Sequence, residues 1–292
     1  MFRPGIFILL FLPVSSLFGQ EILEYKLAKG DVFNIRQEAV QEITQEMDGT
    51  TYEITNSIEG TLEFRVLGLR DSTYEIAVTF KELNLYMASN TDGVMLDVKA
   101  GQASDEDMQS RIFNSLLNVP IHILLDRSGD VLEVTGGDSL ISRMAIASGI
   151  EDTPTLNIIK ESLSRDFGTE ALSNSYEQMT YIYPKSKINI GDSWQNEYSG
   201  KISSRNQWTL DGMKAGRAAI HGAASVSMNL TEDTASMQLS GERKTEISTD
   251  LSSGFLLAMK VESHSSGFSI LPQLGSSEIP TTIKSTITYK RI

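Results

Sequence analysis

The stretch Thr51-Tyr52-Glu53-Ile54-Thr55-Asn56-Ser57-Ile58-Glu59-Gly60-Thr61-Leu62-Glu63-Phe64-Arg65-Val66 decides the fold. Tyr52, Ile54, Ile58, Leu62, Phe64 and Val66 share one parity, while Thr51, Glu53, Thr55, Glu59, Thr61, Glu63 and Arg65 share the other. Side chains of a strand alternate between its two faces. A period of two held this long therefore predicts a long antiparallel strand with one buried and one wet face.

Upstream, Asp48-Gly49 is a hairpin turn signal, because a type I′ turn needs two residues that tolerate positive φ. The strand feeding it runs from Phe33 and Ile35 to Ile43 and Met47, with Glu38, Glu42, Thr44 and Glu46 on the alternate positions. Downstream, Gly68 to Ser72 makes a turn and Tyr74, Ile76, Val78 and Phe80 resume the alternation. Leu83, Leu85 and Met87 then change parity, which predicts a β-bulge near Lys81-Glu82. Val94, Leu96 and Val98 make a short strand, and Ile112, Leu116 and Leu117 carry helical spacing. Ile121 to Thr135 reads as a hairpin about Arg127-Ser128-Gly129-Asp130.

Between Gly136 and Pro184 the period changes to 3.6. Ser139 to Ala147 forms one expected helix. Pro154 suits the first turn of a second, with Leu156, Ile159, Leu163 and Phe167 on one face and Gly168 at its end. Thr169 is the expected cap of a third, striped by Leu172, Tyr176, Met179 and Tyr183. Such a stripe is core packing rather than a cofactor box. Trp194, Asn196 and Tyr198 then open a second β-rich region. Trp208 and Leu210 lead to an expected turn at Asp211-Gly212, and Ala218, Ile220, Gly222, Ala224, Val226, Met228 and Leu230 share a face in which Gly222 and Ala224 are small enough to leave a cavity or admit a helix. Another turn is expected at Glu232-Asp233, ahead of Met237 and Leu239. Phe255, Leu257, Met259 and Val261 follow a turn at Asp250 to Gly254. Ile283, Ile287 and Tyr289 form the last strand, behind a loop bracketed by Pro272 and Pro280.

The fold class expected is a β-rich α+β protein: long antiparallel strands in one or two curved, half-barrel-like sheets, with a central helical block packed on the apolar face. The segments are 1–19 as a signal peptide, 20–136 as the first β-rich half, 137–184 as the helical block and 185–292 as the second half. Lys29-Gly30-Asp31-Val32-Phe33 is echoed by Ile190-Gly191-Asp192-Ser193-Trp194, and Asp126 to Val134 by Asp250 to Met259. Two readings stay open: an internal duplication, or an ordinary antiparallel meander. Gly30, Asp31, Gly191, Asp192 and Trp194 have a structural explanation as turn motifs. Glycine supplies a permissive backbone, aspartate bonds its own main chain, and an aromatic anchors the new strand.

Composition bounds the function. The chain has 292 residues, a formal charge of −13 and no cysteine. Arg3 followed by the apolar run Ile6 to Val14 reads as a secretory leader, with cleavage expected before Gln20 or, alternatively, after Ser16. The run is too short to span a membrane, and nothing later predicts a transmembrane segment. The expected location is therefore outside the cytoplasm, periplasmic or extracellular. The acidic balance argues against nucleic acid and anionic lipid headgroups as partners, since both demand a basic footprint. His122, His221 and His264 are scattered, with no second ligand at metal spacing, and His221 and His264 should face solvent. Asp126-Arg127-Ser128-Gly129-Asp130 lacks the glycine and glutamate placement of a calcium loop. There is no nucleophile elbow, phosphate loop or dinucleotide fingerprint. The expectation is a non-enzymatic protein without cofactor or metal.

Gly19-Gln20, Tyr25-Lys26-Leu27 before Lys29-Gly30-Asp31, the glutamine-rich stretch Gln37 to Asp48, and Tyr183-Pro184 ahead of Gly191-Asp192-Ser193-Trp194 together resemble an uncharacterised secreted family of Bacteroidota, the domain of unknown function of DUF6263 type. The resemblance spans nearly the whole mature chain and implies export from a Gram-negative cell, but no activity. It also implies that Asp71-Ser72-Thr73, Asp138-Ser139-Leu140 and Asp233-Thr234-Ala235 are acceptor triplets for O-glycosylation. The expected half-barrel looks like the bacterial lipoprotein-carrier architecture, which shelters acyl chains. The leading functional expectation is binding of a hydrophobic, lipid-like molecule in a curved sheet. The alternative is an envelope interaction or scaffold protein without a small ligand, and a hydrolase ranks third.

Overall fold

The computed structural model describes residues 22–102, 107–231, 236–272 and 277–292. The strands are β1 (Val32–Met47), β2 (Thr50–Arg70), β3 (Thr73–Ser89), β4 (Gly93–Ala100), β5 (Pro120–Leu125), β6 (Val131–Thr135), β7 (Ser193–Tyr198), β8 (Ile202–Lys214), β9 (Arg217–Thr231), β10 (Ser236–Asp250), β11 (Leu256–Ile270) and β12 (Glu278–Arg291). The helices are α1 (Met108–Asn114), α2 (Gly137–Ala147), α3 (Thr153–Phe167) and α4 (Thr169–Thr180). The leader and the Glu232-Asp233 turn lie outside the described residues, as does the Asp233-Thr234-Ala235 triplet.

All described strands join one antiparallel sheet in the order β6-β5-β3-β2-β1-β12-β11-β10-β9-β8-β7, with β4 beside β5 on the same edge of β3. The two β-rich halves are therefore not two sheets. They are fused where β1 pairs with β12 from Ile35↔Arg291 to Gln45↔Thr281. Flat, the two ends of this path would stand about 48 Å apart at the usual strand spacing. Yet α4, about 18 Å long, touches both β6 and β7, so the sheet curls into an open half-barrel with α4 across the gap.

One end of the half-barrel is packed solid. The segment before β1 crosses it: the Tyr25 amide donates to the Arg127 carbonyl (2.9 Å) and the Lys26 amide to the Ser253 carbonyl (2.8 Å), tying the β5–β6 turn to the β10–β11 turn. Phe33 stacks on Phe255 with centroids 4.0 Å apart, and Phe64 meets Tyr176 of α4 edge-on. Ile35, Ile76, Leu116, Ile121, Leu125, Leu140, Met144, Ile182 and Leu210 are fully buried around them. Burial of such side chains contributes about 1.5–3 kcal/mol each before entropy is counted. The polar tips of this aromatic core are bonded: Tyr25 to the Thr180 carbonyl, Tyr74 to the Tyr25 carbonyl and Tyr183 to the Gly254 carbonyl.

Most local expectations follow from turn chemistry. Asp48 and Gly49 have φ of 51° and 76°, the signature that closes the β1–β2 hairpin. Leu62 pairs with Phe80 but Thr61 with Glu82, so Lys81 is the bulged residue. Three expectations are corrected. Asp211-Gly212 is a register shift inside β8, and the turn falls at Ala215-Gly216, which take φ of 52° and 75°. Pro280 lies within β12, just past its last pairing with β1, where a missing N–H costs no ladder bond on that side. Gly168 caps α4, and Thr169 is the first helical residue. In the helical block, α4 buries Leu172, Tyr176 and Met179 against the sheet, whereas α3 buries no residue fully.

Candidate ligand site on the inner face

The two Gly-Asp turns have matching geometry. Gly30 and Gly191 take φ of 95° and 90°, and each amide donates across to the second strand, to Val66 (2.9 Å) and Leu210 (2.8 Å). Each aspartate side chain takes the amide three residues back, that of Ala28 (2.8 Å) or Asn189 (2.7 Å). The aromatic that follows pairs with another: Phe33 with Phe64, and Trp194 with Trp208. Trp194 also donates from Nε1 to the Ile182 carbonyl at 3.1 Å, fastening β7 to the chain leaving α4. These five residues fall in two groups, Gly30 and Asp31 at the start of β1 and Gly191, Asp192 and Trp194 at the start of β7, on strands that are not neighbours in the sheet.

Register brings together residues that parity alone does not. Reading across the inner face, Asn196 faces Asn206, then Ala224, Arg243, Ser263, Ser285, Gln41 and Asn56, strand by strand from β7 to β2. All but Ala224 carry a polar side chain, so a polar hoop crosses a face whose next row toward the packed end is Trp194, Trp208, Gly222, Thr245, Val261, Ile287, Ala39 and Ile58. Neighbours in the hoop bond in pairs: Asn206 donates to Asn196 Oδ1 (3.0 Å), Ser263 and Ser285 share a hydroxyl bond (2.7 Å), and Asn56 donates to Gln41 (3.3 Å). Trp208 Nε1 reaches up to the same Asn196 oxygen at 2.9 Å. Its ring lies over Gly222, where a Cβ would come within 2.4 Å of the indole. The small residue at Gly222 is thus the seat of a tryptophan, not a cavity.

Arg243 is the charged member of the hoop. It is 9% exposed, and its Nε is buried with no hydrogen-bond partner. Burial draws the guanidinium pKa down, against Tyr198 and Tyr289, which raise it. Burial also pushes the Tyr289 hydroxyl up to about 12. Asn56 Oδ1 is a second buried atom without a partner in the same hoop. Sequence reading missed these residues. The available signal was an arginine at the parity of Leu239 and Ile247 in β10, on the face that should be apolar.

Beyond the hoop the face is unevenly filled: Val226, Leu239, Ile279 and Ile283 are buried, whereas Ile43, Ile54, Met228, Leu230 and Met237 are only half-buried. Met87 and Leu96 extend the hoop's own row past Asn56, and Ile58, on its packed-end side, is 39% exposed. The opposite, charged face carries two grooves of about 620 and 510 Å³ beside the β1–β12 seam. They are rimmed by residues such as Arg36, Glu38, Glu246, Lys260, Lys284 and Lys290, and the second also reaches Ser263 and Ser285. His122, His221 and His264 are exposed, and His221 Nδ1 lies 2.6 Å from Asp211. Among the described residues no cluster of metal-ligating side chains is found, and no helix is long and apolar enough to cross a membrane.

Fold and site together define a curled single-sheet half-barrel with a helical strap and a mixed polar and apolar inner face. The chain belongs to the family of unknown function DUF6263, which it matches over residues 71–256. No curated protein sequence matches it. Among solved structures it is similar to lipovitellin, in a structure described for its lipid–protein interactions, with a TM-score of 0.50 and 10% identity over 91% of this chain. The chain spans only about a quarter of that protein's length, 25%. An outer membrane channel from Pseudomonas putida F1 is similar at a TM-score of 0.25 and 8% identity, covering 92% of this chain and 97% of the channel. DynF from the dynemicin biosynthesis pathway of Micromonospora chersina is similar at 0.23 and 7%, covering 98% and 92%.

Proposed function

We propose that this is an exported, non-enzymatic protein of the cell envelope that holds a lipid-like molecule against the inner face of its half-barrel. The observation that carries the reading is the unequal filling of that face: one end is sealed by aromatics and α4, while from the hoop outward Met87, Met228 and Met237, with Ile43, Ile54 and Leu230, are only half-buried. Half-exposed apolar surface lining the inside of a curled sheet is a binding surface waiting for cover. Methionine suits such a role, because its unbranched thioether adapts to a flexible chain. The likeness to lipovitellin supports the architecture, and its lipid association supports the ligand class by analogy.

The test is native purification followed by intact mass before and after solvent extraction. A released acyl species, with uptake of a fluorescent fatty acid by the extracted protein, is expected. A bare mass with no uptake overturns the reading in favour of an envelope scaffold without a small ligand. The same spectrum reads the proposed export, through removal of the chain before Gln20.

A further inference from the structure

We propose that Arg243 is the recognition site for an anionic headgroup, a carboxylate or phosphate, on the acyl ligand of the inner face. The inference rests on the hydrophobic-ligand reading above and names the chemistry at one end of that ligand. A guanidinium stays protonated in proteins, so it cannot escape burial by losing its charge. Burying it without a partner is costly, and native chains ordinarily supply a carboxylate beside it. This chain supplies none: Nε has no partner, and the facing positions on β9 and β11 are Ala224 and Ser263. Among the described residues no ion pair reaches Arg243.

The surroundings are those of an anion seat. Ser263 and Ser285 offer hydroxyls on one side, and Ala224 leaves room on the other. The position along the half-barrel matters as well. On the side of the hoop away from the sealed end Met228 and Met237 are half-buried, so an amphiphile with its head at Arg243 lays its chain toward them rather than into the packed core. Arginine binds carboxylate and phosphate alike through its planar fork, and the geometry does not choose between them.

The experiment uses the delipidated full chain with cis-parinaric acid, its uncharged methyl ester and an acyl phosphate monoester as fluorescent or competing probes. Wild type is expected to bind both anionic amphiphiles at least about tenfold tighter than the ester. Arg243→Gln should remove that preference while leaving the ester's affinity within about twofold, and Arg243→Lys should restore part of it. Inorganic phosphate alone should not compete at amphiphile concentrations. Equal binding of acid and ester by wild type overturns the assignment while the hydrophobic reading stands, whereas binding of neither probe overturns the hydrophobic reading itself. Should Arg243→Gln fail to fold, the acid-to-ester ratio of wild type decides alone. A preference for only one of the two anions identifies the headgroup.

Discussion

The sealed end of the half-barrel and the polar hoop share the inner face of one sheet, on β1 and β2 from Phe33↔Phe64 to Gln41↔Asn56, yet they treat polar atoms differently. At the sealed end Tyr25, Tyr74 and Tyr183 each reach a backbone carbonyl, so their burial is compensated within the chain. The Tyr176 hydroxyl is the exception there. In the hoop Nε of the charged Arg243 and the side-chain Oδ1 of Asn56 are buried without partners. A neutral hydroxyl left unbonded costs about 1–3 kcal/mol, whereas an unpaired buried charge costs several. The sealed end therefore compensates most of its buried polar atoms within the chain, whereas the hoop leaves Arg243 Nε and Asn56 Oδ1 uncompensated there.

The largest effect should come from the sealed end. Gly129 has φ of 94°, and a Cβ there would lie 1.8 Å from the Thr180 carbonyl oxygen. Gly129→Ala should lose about 3 kcal/mol or more in urea denaturation, because backbone strain and a clash with main chain add together. A loss below 1 kcal/mol would show that the end is softer than its packing implies. The hoop should respond with the opposite sign. Arg243→Met is expected to stabilise the ligand-free chain by about 1–3 kcal/mol, since an apolar side chain replaces an unpaired buried charge. Destabilisation instead would mean that the guanidinium is compensated inside the chain, and the contrast between the two regions would collapse.

The smallest effect concerns the β5–β6 turn, where the sealed end meets solvent. Burial first and Asp126 second raise the Asp130 pKa, while burial first and Asp130 second raise that of Glu177. A carboxyl whose folded pKa lies above its unfolded value favours the fold when protonated. Its contribution is present below the ordinary carboxylate pKa of about 4 and is lost as pH rises through the folded value. Stability measured upward from pH 4 should thus fall slightly in wild type and fall less in Asp130→Asn. Both groups are partly open to solvent, so screening keeps the difference small. An unchanged slope would remove these two carboxyls from the account. Asp250 acts in the opposite direction: burial raises its pKa but bonds from Ser252 and Ser253 outweigh it, so that contribution is lost as pH falls below the ordinary range.

Much of the secondary structure was legible because its causes are local. The alternation from Thr51 to Val66, the Asp48-Gly49 turn and the bulge at Lys81 each depend on a few adjacent residues. Where reading failed, a neighbour in space overrode a neighbour in sequence. Asp211-Gly212 has turn chemistry, but pairing with β9 carries β8 on to Lys214. Pro280 looks like a loop residue, and pairing with Phe268 of β11 keeps it in a strand. The candidate site was not legible at all. Asn56, Asn196, Asn206 and Arg243 each interrupt an apolar parity on a different strand, and singly each resembles tolerated noise.

By itself, the sequence determined which side of each strand is wet, where most turns fall and where helices replace strands, since period and turn propensity act over a few residues. Only the tertiary structure decided that the halves share one sheet, that β1 closes on β12, and that scattered polar residues fall in a single row. Parity assigns a residue to a face. Its row is set by the register between strands that lie up to hundreds of residues apart, and that register is chosen by packing of the whole inner face at once.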